Sequence, residues 1–168
     1  HAGDEAVAVA LDPARPAPHR AQRLAERVLA LAVQNQAHLE YLIDHLEPEM
    51  LAKTSLLGLY KAIVTYYTEN HALNQRDFFQ SLGREDPELS QLANVIFLLG
   101  TSDLLPTDER LQKQELLEGL TVLKQFALHD KLTSVQAELA SAERDGKRDQ
   151  ALSLTEKANE LAQQLSEL

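Results

Sequence analysis

The chain has 168 residues, 44% of them hydrophobic, and a formal charge of −10 because 26 acidic residues outnumber 16 basic ones. It has no cysteine, which excludes disulfides and thiolate zinc sites, and no apolar run reaches the roughly 20 residues of a membrane span. Phosphate contacts need clustered Lys and Arg, so we expect no direct nucleic-acid binding. Glycine and proline are scarce, at 6 each, and long helix-compatible runs predict an all-α fold.

The first 19 residues are rich in alanine and proline and have no helical period. This composition predicts a flexible linker over residues 1–19. The chain starts with His1 and shows no basic, apolar leader. We therefore expect a piece of a larger cytoplasmic protein, with a further domain upstream of the linker.

Residues 20–127 are predicted to form a helical bundle subdomain. Apolar residues recur three and four positions apart, the spacing of amphipathic helices, over residues 20–34, 37–46, 55–67 and 88–99. Tyr and Phe stand at the same spacing as Leu and Ile, so we expect them in the core rather than on a base-stacking surface.

Several residues predict where these helices begin and end. Thr54, Asn74 and Asp86 are of the types that cap helix N-termini. Gly100 is expected to end the helix that Asp86 starts. A long helix is then predicted from Thr107 to Glu143, which would measure about 55 Å at ~1.5 Å per residue.

Residues 128–168 are predicted to form an antiparallel two-helix hairpin, joined to the bundle by the long helix. Apolar residues alternate at spacings of three and four in both arms, as in a coiled-coil seam. Residues paired across the seam have numbers that add to a constant, as an antiparallel hairpin requires. Gly146 is expected in a left-handed turn conformation and Asp149 as the cap of the second arm. The seam contains Leu128, Leu132, Val135, Leu139, Leu154, Leu161 and Leu165, with alanines at 142, 151 and 158.

Three stretches, taken in order, resemble a known family. They are E-R-V-L-A-L-A-V-Q-N at 26–35, L-L-G-L-Y-K-A-I at 56–63, and A-E-R-D-G at 142–146 followed by L-T-E-K-A-N-E-L-A-Q-Q-L at 154–165. Over residues 20–168 the chain resembles the C-terminal helicase-binding domain of bacterial primase (DnaG). Gln36 departs from the pattern, because the family usually has proline there. The resemblance therefore does not predict the exact residue at which the first two helices separate.

The resemblance implies a non-catalytic domain that docks primase onto the N-terminal domains of the hexameric replicative helicase (DnaB). It would couple primer synthesis to fork unwinding, with the chemistry in upstream domains. We therefore expect no catalytic residue, metal or cofactor in this chain. The nearest alternative is the helicase's own N-terminal assembly domain, a bundle that also ends in a helical hairpin but is followed by an ATPase domain.

Two groups of residues are candidates for partner binding. On the last helix, a stripe beside the seam carries small or mildly apolar side chains, and the resemblance places Asn159 and Gln163 at polar contact positions. At the hairpin turn, a basic cluster could meet an acidic patch on the helicase. The alternatives are an ordinary solvated face and a charged turn that favours solubility. The candidates are Leu152, Thr155, Asn159, Ala162, Gln163 and Ser166 on the stripe, and Arg144, Lys147 and Arg148 at the turn.

Histidines offer little sign of a metal site. His38 and His45 could share a helix face beside Asp44, but no Glu-x-x-His pair of the di-iron bundle type occurs. We expect a monomer in solution, although exposed apolar side chains could produce a dimer or a hairpin swap in a crystal.

Overall fold

The computed structural model describes residues 17–168. Within that range the chain forms α-helices, one 3-10 turn and no strand, which confirms the all-α class. The helices are α1 (Ala17–Val33), α2 (Gln36–His45), α3 (Leu57–Asn70), α4 (Gln75–Glu85), α5 (Pro87–Gly100), α6 (Glu109–Arg144) and α7 (Arg148–Ser166), with the 3-10 turn at Pro48–Leu51 between α2 and α3.

The chain divides into two compact units, the first ending at Leu123 and the second spanning Lys124–Leu168. The division falls inside α6, four residues before the predicted start of the hairpin at residue 128. The helix itself is continuous from Glu109 to Arg144.

The first helix begins at Ala17, three residues before its predicted start at Arg20. Residues 17–19 are therefore helical and not part of a linker. The proline at position 18 does not prevent this, because the N–H groups of the first helical turn have no helical partner and a proline there loses no hydrogen bond. The rest of the predicted linker, residues 1–16, lies outside the described residues.

Helix α1 is the centre of the first unit. Every residue from Arg27 to Val33 is buried, so the amphipathic pattern predicted for this helix understates its burial. Its neighbours include α2 and α5, and α5 also contacts α3 and α4. The run from Leu29 to Val33 contains only Leu, Ala and Val, and a helix that is apolar all round is stable only when other elements cover each face.

Two glycines allow other helices to approach α1 closely. A Cβ atom on Gly100 would lie 2.8 Å from the carbonyl oxygen of Ala30, and one on Gly119 would lie 2.5 Å from Cγ2 of Val28. Gly100 is the last residue of α5, as predicted. Its φ is not positive, so this position requires glycine for space and not for a left-handed turn.

The predicted helix starts at Asn74 and Asp86 are confirmed. Asn74 Oδ1 accepts a hydrogen bond from the Asp77 N–H at 3.1 Å, and Asp86 Oδ1 accepts from Glu88 and Leu89. The cap predicted at Thr54 is wrong, because α3 starts only at Leu57. Thr54 Oγ1 instead donates to the Leu51 carbonyl and accepts from the Leu56 N–H, which stabilises the turn before α3.

The aromatic residues are divided between the core and its edge. Tyr60, Phe78 and Phe97 are buried, and the rings of Phe78 and Phe97 meet edge to face at 6.2 Å. Tyr66 and Tyr67 are only half-buried, and each hydroxyl donates to an exposed carboxylate. A phenol at the boundary can bury its ring while its hydroxyl stays with polar partners.

In the second unit, α7 follows the last part of α6 after a three-residue turn. Gly146 has φ 69°, as predicted. Its N–H donates to the Glu143 carbonyl, and the Lys147 N–H donates to the Ala142 carbonyl at 2.9 Å. These two bonds are the Schellman arrangement that closes a helix C-terminus. Asp149 does not cap α7, contrary to prediction. Lys147 precedes the helix, and Asp149 lies in its first turn, where a negative charge interacts favourably with the positive end of the helix dipole.

One hydrophobic cluster joins the two helices of the second unit. It contains all seven predicted seam residues, together with the three alanines. The apolar stripe of each helix is therefore covered by the other, and what remains exposed on α7 lies outside this cluster.

Candidate partner-binding surface

The residues predicted to bind a partner on the last helix all lie at the surface. We term them the α7 face: Leu152, Thr155, Asn159, Ala162, Gln163 and Ser166, all exposed. At about 100° per residue they cluster on one side of α7, beside but separate from the side that contains Leu154, Leu161 and Leu165. The buried seam packs α7 against α6, and the residues of the α7 face remain exposed within the described part of the chain.

The α7 face is uncharged and has few unused hydrogen-bond donors. Thr155 Oγ1 donates to the Ala151 carbonyl at 2.8 Å, and Ser166 Oγ donates to the Gln163 carbonyl at 2.7 Å. Gln163 Nε2 donates to Glu167 Oε1 at 3.2 Å. The hydroxyl protons are therefore used within the helix itself, and Asn159 presents the free side-chain amide of this face.

Leu152 is the most prominent apolar residue of the α7 face. Its side chain is 65% exposed, the highest value among the large hydrophobic residues of the described region. Burying a leucine fully is worth about 1.5–3 kcal/mol, and at this exposure more than half of that free energy is forgone. A single exposed leucine is common, but this one lies among small residues that allow another helix to approach closely.

Charged residues border the α7 face on two sides. An acidic ridge, formed by Asp149, Glu156, Glu160 and Glu167, runs along α7 at helical spacing, and all four residues are exposed. At one end lies the hairpin tip, formed by Arg144, Lys147 and Arg148, also exposed. None of the three tip cations has an ion-pair partner within residues 17–168. The α7 face is therefore an uncharged surface with a negative side and a positive end.

No family model, no curated protein and no solved structure matches this chain.

A buried ion pair in the first unit was not predicted from the sequence. Arg27 is only 5% exposed. Its Nη2 lies 2.7 Å from Glu115 Oε2, and its Nη1 donates to the Leu104 carbonyl at 2.9 Å. An arginine directly before the apolar run from Val28 to Val33 signals such a partner, because a buried charge requires one, but the signal does not identify Glu115. This pair joins α1 to α6 and is a structural element of the bundle.

The described residues offer no clustered metal ligands and no membrane helix. Between residues 17 and 168 no three His, Asp or Glu side chains are placed to hold a metal ion together. His38 is buried, whereas His45 is exposed and stacks on the Tyr41 ring at 3.9 Å. None of the helices in the same range combines the length and the apolar character that crossing a membrane requires.

Proposed function

We propose that this chain is a non-catalytic docking domain that attaches a bacterial primase to the replicative helicase (DnaB). The sequence resemblance suggests the partner. The single observation that carries the proposal is the α7 face, an uncharged and exposed helix surface supported from behind by a buried seam. Both proteins act in the cytoplasm, which is where this function places the chain.

The α7 face has the composition of a helix-docking surface. Helix-in-groove recognition uses anchors three, four and seven residues apart on one side of a helix, and Leu152, Thr155 and Asn159 have this spacing. Small side chains at these positions let two helix backbones approach. Leu152 would supply the apolar anchor, and Asn159 would supply the polar contact that fixes register.

The charges around the α7 face would orient the partner. The acidic ridge favours a basic rim on one side, and the hairpin tip favours an acidic patch at one end. Exposed rim charges change association rate and salt dependence more than affinity. Neutralising Arg144, Lys147 and Arg148 together is therefore expected to slow association with the helicase while leaving the dissociation rate nearly unchanged.

The deciding experiment is a calorimetric titration of the full chain against the replicative helicase of the same organism. Leu152→Glu is expected to weaken binding by about tenfold or more, because it places a charge in a desolvated contact. The matched control is Gln164→Glu, which adds the same charge to an exposed position on another side of α7. Equal binding by wild type and Leu152→Glu, with Gln164→Glu also unchanged, would contradict a docking role for this face.

A second function, the helicase's own N-terminal assembly domain, has one observation in its favour. Val95 and Leu98 lie one turn apart on α5 and are 56% and 62% exposed. A domain that assembles with copies of itself could bury such a pair. Sedimentation equilibrium separates the two functions: self-association that Leu98→Glu abolishes, without binding to a separate helicase, would favour the assembly domain. A monomer that binds helicase supports docking.

A further inference from the structure

A groove between α2 and α6 in the first unit combines an apolar wall with two cations. Its volume is about 450 Å³, within the ~300–1,000 Å³ range of small-molecule sites. Ala37 and Tyr41 of α2 provide its apolar surface, while Arg110 and Lys113 stand on one side of α6; Leu116 of α6 also lines it but is fully buried. The second unit contributes nothing to this groove.

The cations stand out in an acidic chain. Between Glu85 and Leu123 the sequence contains no Lys or Arg except Arg110 and Lys113, and both line the groove. Both are exposed, and neither is ion-paired within the described residues. The lining also contains Glu109, whose Oε1 accepts from Asn35 Nδ2 at 3.2 Å. Its carboxylate remains charged, and the two cations outnumber it.

One residue of the groove lining has a buried polar atom without a partner. His38 lines the groove and is only 3% exposed, and its Nδ1 has no hydrogen-bond partner within the described residues. Most buried polar side-chain atoms are hydrogen-bonded, and leaving one unpaired is costly.

The N-terminus of α6 is already capped, because Asp108 Oδ1 accepts from the Arg110 and Leu111 N–H groups. The attraction for an anion therefore comes from side chains rather than from the helix N-terminus.

The Tyr41 ring forms a rigid wall of the groove. His45 stacks on it at 3.9 Å with an interplanar angle of 15°, and His45 Nδ1 lies 2.8 Å from the Tyr41 carbonyl oxygen. Lys113 Nζ lies 5.9 Å from the centre of the same ring, a distance at which a cation is attracted to an aromatic face. The cation is thereby held at the edge of the apolar wall.

We propose that this groove binds a small organic anion. Its carboxylate or phosphate pairs with Arg110 and Lys113, and its apolar body lies against Ala37 and Tyr41. This site is independent of the α7 face and of the function proposed for that face.

The test is a titration of the full chain, followed by the backbone amide resonances, with 2-naphthoate, 2-naphthyl phosphate and the neutral 2-naphthalenemethanol. We expect the two anions to shift amides around residues 37–41 and 110–116. The neutral compound should bind about tenfold more weakly, because two charge-assisted contacts are absent. Stronger binding of either anion identifies whether the natural ligand is a carboxylate or a phosphate.

Arg110→Ala combined with Lys113→Ala should reduce anion affinity by about tenfold. The matched control is Lys61→Ala combined with Arg84→Ala, which removes the same charge from exposed positions outside the groove. Equal affinities for the charged and neutral compounds, no shifts in these amides, or equal losses in both double variants would overturn the proposal.

Discussion

Arg27 and Glu115 form a buried ion pair between residues 88 positions apart in the sequence, with Nη2 and Oε2 separated by 2.7 Å. Their side chains are 6% and 15% exposed, so most of their hydration is lost on folding. The Leu104 carbonyl accepts from the other guanidinium nitrogen. Arg27 therefore links α1 both to α6 and to the loop before α6.

Removing one partner of this pair should destabilise the first unit strongly. Glu115→Ala leaves the Arg27 guanidinium buried without its counter-charge, which typically costs about 3–5 kcal/mol. Urea unfolding monitored by circular dichroism measures this loss. The exposed carboxylate Glu118, one turn away on α6, provides the control, because Glu118→Ala should change stability by less than about 0.5 kcal/mol.

Replacing both partners of the pair tests the mechanism. Arg27→Met combined with Glu115→Leu is expected to be far less destabilising than Glu115→Ala alone, since no charge then remains buried. A double variant as unstable as Glu115→Ala would show that packing around the Arg27 side chain, rather than its charge, sets the cost.

Two left-handed positions should respond in opposite directions to substitution. Gly146 has φ 69° and a Cβ there would meet no atom within 4 Å, so Gly146→Ala carries only the backbone penalty, about 1–2 kcal/mol. His71 ends α3 with φ 55°, and His71→Gly should therefore stabilise the chain by about 1 kcal/mol. Thermal unfolding of both variants measures the two effects, and a stabilising Gly146→Ala would contradict this account.

The same substitution on two sides of α7 should separate stability from binding. Leu161 is 7% exposed within the seam, so Leu161→Asp removes a packed side chain, at about 2–5 kcal/mol, and buries a charge as well. Leu152→Asp should leave the melt nearly unchanged, because Leu152 is exposed, yet weaken partner binding. Loss of helicity in both variants would mean that Leu152 also supports the fold.

Stability should fall at alkaline pH partly through Tyr60. Burial, with a smaller contribution from the Asp44 charge, raises the pKa of Tyr60 from 10.0 to about 12. The folded state thus keeps a proton that the unfolded state releases. The stabilisation is complete below pH 10 and is lost as the pH rises from 10 towards 12. Denaturant titrations from pH 8 to pH 11 measure this decline.

Tyr60→Phe isolates the contribution of this phenol. The Tyr60 hydroxyl donates to the Leu46 carbonyl at 2.9 Å, so the variant should lose about 1 kcal/mol at neutral pH. It should also decline less steeply than wild type above pH 10, so that the two stabilities converge. Tyr66 and Tyr67, whose pKa values are raised mainly by hydrogen bonds to Asp77 and Glu40, are present in both proteins. Parallel pH profiles would assign the decline to those other groups.

The features that the sequence predicts correctly are local. The left-handed Gly146, the caps at Asn74 and Asp86, and the spacing of the apolar stripe on each of α6 and α7 depend on residues within a few turns of one another. Helical periodicity and N-cap chemistry act over that distance, so a pattern in the sequence is enough to predict them. The errors at Thr54 and Asp149 are also local, because each residue has the type of an N-cap, but α3 begins three residues after Thr54 and α7 begins one residue before Asp149.

Local patterns in the sequence were therefore enough to predict the helical class, most helix positions and the identity of the apolar stripes. The three-dimensional fold was needed to establish that residues 27–33 of α1 are all buried, that Gly100 and Gly119 leave room for neighbouring helices, and that Arg27 meets Glu115. These features depend on residues that are far apart in the sequence and are brought together only when the helices pack. The exposure of the α7 face was decided in the same way, since a stripe beside a seam becomes a surface only when no other element covers it.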